Sequence, residues 1–163
     1  MNDDANVGKF IVFKIADYHL ALPIGQVLKV INCSPKVSGG LNTMGLIQLG
    51  KHMVRVVDLH QQLTLAGSEL LASHSPFLMI TRFPGGELCG VPVGEPPNLV
   101  ELPLEMMHKL PPSDSYSQPG LNLMSHAAIL SQGNVTTTIF LLDLQQVLNT
   151  TSHHSHRLAL KPS

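Results

Sequence analysis

Two eight-residue segments of the chain have nearly the same pattern of apolar and polar residues. Residues 56–63 read VVDLHQQL, and residues 141–148 read LLDLQQVL. In each segment an apolar run typical of a strand ends at an aspartate, Asp58 or Asp143, whose carboxylate can accept hydrogen bonds from the free N–H groups at the start of a helix. The repeat predicts two similar β units, each closed by a short capped helix. Chance similarity is the alternative, because the match is short.

The remaining sequence consists of short apolar runs separated by turn residues, which is typical of a β protein. Phe10–Ile15, Leu20–Leu22, Phe77–Arg82 and Leu88–Val93 have strand character, and thirteen Gly and twelve Pro residues are spread through the chain. Strands of this length bury too little surface alone. Each unit is therefore expected to close into a small barrel of about five strands and to pack on its twin.

Two segments are predicted to contain helical structure besides the capped helices. Apolar residues between positions 24 and 31 have helical spacing, for which we expect one helical turn over 24–28 and then a strand over 28–32. Leu104–Leu110 is predicted to form a brief helix that ends at Pro111.

The two β units are predicted to occupy approximately residues 8–66 and 77–149 of a single 8–149 domain. Between them, residues 66–75 are mostly small and read as a linker. Residues 1–7 and 150–163 are predicted to be disordered tails.

The charge of the chain argues against two classes of partner. Ten Lys and Arg residues are balanced by eleven Asp and Glu residues, which gives a net charge of −1. A nucleic-acid-binding protein needs an excess of basic side chains to neutralise phosphates, and a protein that binds anionic lipid needs a basic surface. We therefore expect neither nucleic acid nor a lipid surface as a partner.

The apolar runs and the N-terminal residues predict where the protein is located, and the location predicts the state of its cysteines. No run approaches the ~20 apolar residues that cross a bilayer. The acidic start Met1-Asn2-Asp3-Asp4 lacks the features of a signal peptide. A cytoplasmic protein without membrane insertion is expected, in which Cys33 and Cys89 are buried free thiols rather than a disulfide.

Nine histidines raise the question of a metal or catalytic site. His153, His154 and His156 cluster in the predicted tail, but no carboxylate or cysteine completes a ligand set there, and a solvated tail is the preferred interpretation. The other histidines are scattered. Asp58 and Asp143 could be proposed as phosphoacceptors, but helix capping accounts for both. We expect no enzyme activity, no cofactor and no metal.

Three stretches of the sequence resemble the CheW-like domain of bacterial chemosensory coupling proteins. Residues 10–31 match the strand, turn and strand that open the family, including Leu22-Pro23-Ile24. Residues 45–59 match its signature strand pair, which ends in Val57-Asp58-Leu59. Residues 139–144 match the closing strand and helix start. The resemblance extends over about residues 8 to 149.

The resemblance implies an all-β fold of two SH3-like five-stranded barrels related by a pseudo-twofold axis, with short connecting helices. It also implies a non-enzymatic adaptor that couples chemoreceptors to a CheA-type histidine kinase, in chemotaxis, phototaxis or twitching motility. The implied partners are the regulatory domain of the kinase and the signalling tip of a methyl-accepting receptor. The implied partner-binding positions are Val27, Lys29, Gly50, Lys51 and Leu99.

The sequence departs from the family pattern at three of these positions and close to them: an acidic residue is common in the family where this chain has Lys29. The family usually has Arg-Gly where this chain has Gly50-Lys51, and Pro where it has Arg55. A lysine cannot copy the bidentate geometry of an arginine. Two alternatives stay open for the adaptor: it binds both the kinase and a particular receptor, or it binds the kinase alone. The alternative from another class is a stand-alone ligand- or metal-binding β domain.

Overall fold

A computed structural model of the chain describes residues 6–32, 46–63, 76–111 and 120–150. Several sequence-based predictions fall outside these ranges: the 66–75 linker, almost all of both tails with their histidine cluster, and the thiol of Cys33. Within the described ranges, no helix combines the length and the apolar character that crossing a bilayer requires.

The described residues form eleven strands and two short helices. The first helix is α1 (Leu59–Leu63), and residues 144–150 form α2. Single 3-10 turns cover Ile24–Gln26, Leu104–Met106 and Leu121–Leu123. The strands are β1 (Val7–Ile15), β2 (Tyr18–Pro23), β3 (Val27–Asn32), β4 (Leu46–Leu49), β5 (His52–Val56), β6 (Phe77–Arg82), β7 (Leu88–Val93), β8 (Asn98–Pro103), β9 (His108–Lys109), β10 (Met124–Gln132) and β11 (Val135–Leu142).

The predicted helix over Leu104–Leu110 is wrong. A single 3-10 turn is followed directly by β9, and the backbone N–H of Leu110 donates to the carbonyl of Ser125 at 2.9 Å. A segment this short, confined by Pro103 and Pro111, cannot repay the cost of helix nucleation. Pairing with β10 satisfies its backbone instead. The helical turn and strand predicted over 24–32 are confirmed.

The strands form two sheets. Sheet I has the order β8-β1-β2-β11-β10-β9, and sheet II has the order β3-β6-β7-β5-β4. In sheet I the two edge strands, β8 and β9, are consecutive in the chain and are joined by one 3-10 turn. The same segment therefore pairs with both ends of the sheet and curls it into a barrel. The fold is all-β with two barrel-like sheets, as the sequence predicted.

The two sheets are related strand by strand. If β1, β2, β3, β4 and β5 are matched with β6, β7, β8, β10 and β11, the order of sheet II becomes the order of sheet I without β9. The two parallel pairings also correspond, β5 with β7 and β11 with β2. This correspondence confirms the duplication and the pseudo-twofold relation. It also shows that the repeats exchange hairpins, so the division at residues 66 and 77 stays a prediction.

Among the residues that the structure describes, buried side chains form three clusters. Sheet I encloses Phe10, Val12, Ala21, Leu102 and Ile139. Sheet II encloses Ile47, Val54, Leu78 and Ile80. A larger shared core lies between the sheets and includes residues from both sheets and from both helices, among them Phe13, Leu22, Leu59, Met79, Val91, Leu142 and Val147.

Candidate functional site

Val27 and Lys29 lie on β3, an edge strand of sheet II, but they do not share a face. A bulge between them places Val27 opposite Thr81 and Lys29 opposite Ile80. Thr81 and Ile80 are consecutive, so their side chains point to opposite faces of the sheet. Val27 is half-buried against the shared core, whereas Lys29 is exposed on the side of the sheet II core.

Leu99 lies on β8, the edge strand of sheet I that corresponds to β3. It is 58% exposed and pairs across the strands with Ile11, which packs against the shared core. The equivalent residue in sheet II is Val30, which pairs with Met79 and is 39% exposed. Val27 and Leu99 therefore both border the shared core, one from each sheet.

Gly50 and Lys51 form the tight turn between β4 and β5. The φ angle of Gly50 is +60°, a left-handed conformation that favours glycine, and its carbonyl accepts a hydrogen bond from Nε2 of Gln48 at 3.3 Å. Both turn residues are exposed. In the strand order of sheet II, β4 lies at the opposite edge from β3. The turn therefore has no strand pairing with β3, although Ile31 of β3 and Leu49 of β4 pack on the same sheet II core.

Exposed apolar residues that the sequence analysis missed lie beside these positions. Leu28 and Val30 flank Lys29 on β3, and Leu46 and Met53 lie on the β4–β5 hairpin. Met53, at 57% exposure, is among the most exposed of them. In the sequence, an exposed apolar residue on an edge strand has the same residue type and local pattern as a buried core residue. Only the pairing partner and the sheet edge distinguish the two.

The outer face of the β4–β5 hairpin carries an ion pair. Nη2 of Arg55 donates to Oε1 of Glu87 at 3.0 Å, across the parallel pairing of β5 with β7. The buried thiol of Cys89 lies opposite Arg55 in the register. Burial raises the pKa of this thiol to about 11; the charge of Glu87 adds to the increase and Arg55 opposes it. The thiol is therefore protonated at neutral pH and a weak nucleophile.

The predicted helix caps are confirmed. The carboxylate of Asp143 accepts hydrogen bonds from the backbone N–H groups of Gln145 and Gln146, and Asp58 caps α1 through the N–H of His60. The sequence analysis missed that the buried ring of His60 also lies against the same carboxylate oxygen, at 3.0 Å. In the part of the chain that the structure describes, no three His, Cys, Asp or Glu side chains are grouped to hold a metal ion.

Comparison with known proteins gives one family and one fold. The family model described as CheW-like domain matches residues 9–152. The crystal structure of the scaffolding protein TtCheW from Thermoanaerobacter tengcongensis is similar at a TM-score of 0.60 and 16% sequence identity, over 86% of this chain and 92% of that chain. At this identity the likeness concerns the fold. No match was found among the curated proteins.

Proposed function

The chain belongs to the CheW-like domain family, and from this premise we propose that it is a non-enzymatic adaptor that couples chemoreceptors to a CheA-type histidine kinase. The pathway is chemotaxis or a related behaviour, phototaxis or twitching motility. The observation that carries the proposal is the family match over residues 9–152, which includes every strand of both sheets except the first two residues of β1.

The exposed apolar residues at the sheet edges support this role physically. An adaptor has to offer apolar area that a partner can cover, since burial contributes about 25 cal/mol per Å² before the costs of association. Leu99 and Val30 offer such area on equivalent edge strands. Lys29 and Lys51 are exposed and can serve as the charged rim of an interface.

Titration calorimetry with two separate partners tests the proposal. The first partner is the regulatory domain of a CheA-type kinase, and the second is a helical hairpin with the sequence of a receptor signalling tip. Binding of both supports the full adaptor. Binding of the kinase domain alone supports the alternative that the departure at Gly50-Lys51 removes receptor binding. Failure to bind either partner contradicts the proposal.

Leu99→Glu is the variant that tests the site. Leu99 is 58% exposed, so the change should leave the fold intact while placing an uncompensated charge in the interface. We expect at least a tenfold weaker association. Val135→Glu is the matched control, because Val135 is 64% exposed at the start of β11 and is not among the proposed positions. Val27→Glu is less suitable, since Val27 packs against the shared core.

If both glutamate variants bind as tightly as the wild-type chain, Leu99 is not part of the interface. If both weaken binding equally, the effect comes from net charge rather than from the site. A difference between the two variants is therefore the decisive result.

A further inference from the structure

The two β-hairpins at equivalent places, β4–β5 and β10–β11, are each joined to a sheet by a short parallel pairing. In sheet II, Arg55 and Val56 pair with Cys89 and Gly90. In sheet I, Phe140 and Leu141 pair with Leu20 and Ala21, and one further pair precedes them. Aligning the repeats at Asp58 and Asp143 matches Arg55 with Phe140, because each lies three residues before its aspartate.

The same alignment matches Glu87 with Tyr18. Each lies two residues before the residue that pairs with the hairpin, Cys89 in one sheet and Leu20 in the other. Tyr18 and Phe140 form an edge-to-face contact, with ring centroids 5.9 Å apart. Glu87 and Arg55 form the 3.0 Å ion pair. We call each parallel pairing, β11 with β2 and β5 with β7, a junction. Equivalent positions therefore stabilise the two junctions by different interactions, an aromatic contact in sheet I and an ion pair in sheet II.

This difference has a physical consequence. Electrostatic screening by dissolved salt hardly affects aromatic packing, whereas it weakens an ion pair with side chains 25% and 44% exposed. The inner face of the β4–β5 hairpin is held by the buried side chains of Ile47 and Val54. On its outer face the ion pair spans the point where the hairpin leaves the sheet. The tip of this hairpin is the Gly50-Lys51 turn.

We propose that Arg55 is a positioning residue: its ion pair with Glu87 fixes the β4–β5 hairpin on sheet II and makes the placement of the Gly50-Lys51 turn sensitive to ionic strength. The consequence for partner binding rests on the proposed function, since it takes this turn to be part of the partner surface. The effect on the hairpin itself does not depend on any partner.

Cys89 provides a local readout of hairpin opening. Its thiol is fully buried opposite Arg55, so a soluble maleimide reaches it only when the structure around β7 opens, and the β5–β7 pairing is the part that loss of the ion pair weakens. The Cys33→Ser background removes the second thiol of the chain. In low salt we expect Arg55→Met to accelerate labelling of Cys89 by about two- to fivefold, the effect expected for loss of an exposed ion pair. Raising NaCl from about 0.02 M to about 0.5 M should accelerate labelling of Cys89 in the protein that keeps the ion pair, but not in Arg55→Met.

Two further variants separate the ion pair from general effects of charge. Lys109→Met removes a positive charge from β9, at the edge of sheet I and away from the β5–β7 junction, and should label at the original rate. Arg55→Phe combined with Glu87→Tyr introduces the pair found in sheet I. This double variant should keep labelling slow and remove its dependence on salt. Hydrogen exchange of the β10–β11 amides should stay unchanged throughout.

The inference is overturned if Cys89 in Arg55→Met labels at the original rate, or if its labelling in the protein that keeps the ion pair is independent of salt. It is also overturned if Arg55→Met accelerates hydrogen exchange of the β10–β11 amides as much as Cys89 labelling, which would indicate global destabilisation. The proposed function is tested separately, with the kinase regulatory domain in calorimetry. Failure of the wild-type chain to bind contradicts the adaptor role only. Wild-type binding that Arg55→Met leaves unchanged, despite faster labelling, contradicts the link between the hairpin and binding.

Discussion

Asp58 and Asp143 make the same hydrogen bond at equivalent positions of the two repeats. In each case Oδ1 accepts the backbone N–H of the residue two positions later, at 3.0 Å. The cap marks the point where the last strand of each repeat turns into a helix that packs against the shared core through Leu59 or Leu144. The duplication that is visible in the sequence is therefore also a duplication of local hydrogen bonding.

Replacing either aspartate with alanine should lower the free energy of unfolding by about 1 kcal/mol, the usual value of an N-cap. We expect the larger loss for Asp58→Ala, because Asp58 also contacts the ring Nδ1 of buried His60. Urea denaturation measures both effects. Glu95→Ala, at an exposed position between β7 and β8, is the control and should change stability by less than about 0.5 kcal/mol. Equal losses in all three variants would rule out a specific capping role.

The turn between β1 and β2 contains a strained alanine. Ala16 has a φ angle of +55°, and the flanking residues Ile15 and Tyr18 pair directly, so the turn has only two residues. A left-handed conformation costs a non-glycine residue about 1 kcal/mol, so Ala16→Gly should raise the free energy of unfolding by up to that amount.

The opposite outcome is expected for the same substitution in a strand. Ala127→Gly lies within β10 and should destabilise the protein by roughly 0.5–1 kcal/mol, because glycine loses more conformational freedom on folding. Thermal and urea unfolding of the two variants give a direct comparison. If Ala16→Gly is also destabilising, the turn is not strained.

Gly90 is close to the side chain of Leu78. A Cβ atom at this position would lie 2.9 Å from two atoms of that side chain, inside the core of sheet II. Gly90→Ala should therefore destabilise the protein by about 1–3 kcal/mol through overpacking. Gly94→Ala has open space around it and should be nearly neutral. Combining Gly90→Ala with Leu78→Ala should cost less than the sum of the two single changes, since the clash is then relieved. Strict additivity in urea denaturation would contradict the clash.

The features that the sequence predicted well are local. The aspartate caps depend on residues within three positions, and the runs of β1 and β6 show their strand preference directly. The two-barrel fold was predicted from the resemblance to the family. The exchange of hairpins could not be predicted from the residues, because the pairing of β2 with β11 joins segments about 120 residues apart without a local signal.

The candidate site was less predictable for the same reason. The bulge that separates Val27 from Lys29 is a property of the pairing with β6, and the sequence spacing alone would place both side chains on one face. The exposure of Val30 depends on its edge position rather than on its identity. The contact between Arg55 and Glu87 joins strands that are distant in the chain. Such features are visible only once the strand order is known.

Stability at alkaline pH should depend on Cys89. Burial, with a smaller contribution from Glu87, raises the pKa of its thiol from 9.0 to about 11 in the folded chain. Between these two values the unfolded chain releases the thiol proton while the folded chain retains it, so the free energy of unfolding falls as pH rises. Well below pH 9 the thiol is protonated in both states and contributes no slope.

Urea denaturation at pH values from about 8 to about 11 measures this slope, in the Cys33→Ser background and with Cys89→Ala added. Groups that titrate in both proteins cancel in the difference. We expect Cys89→Ala to be less stable at pH 8, because it leaves a small cavity in the shared core, and to lose less stability than the parent as pH rises. Parallel curves for the two proteins would show that the buried thiol does not retain its proton in this range.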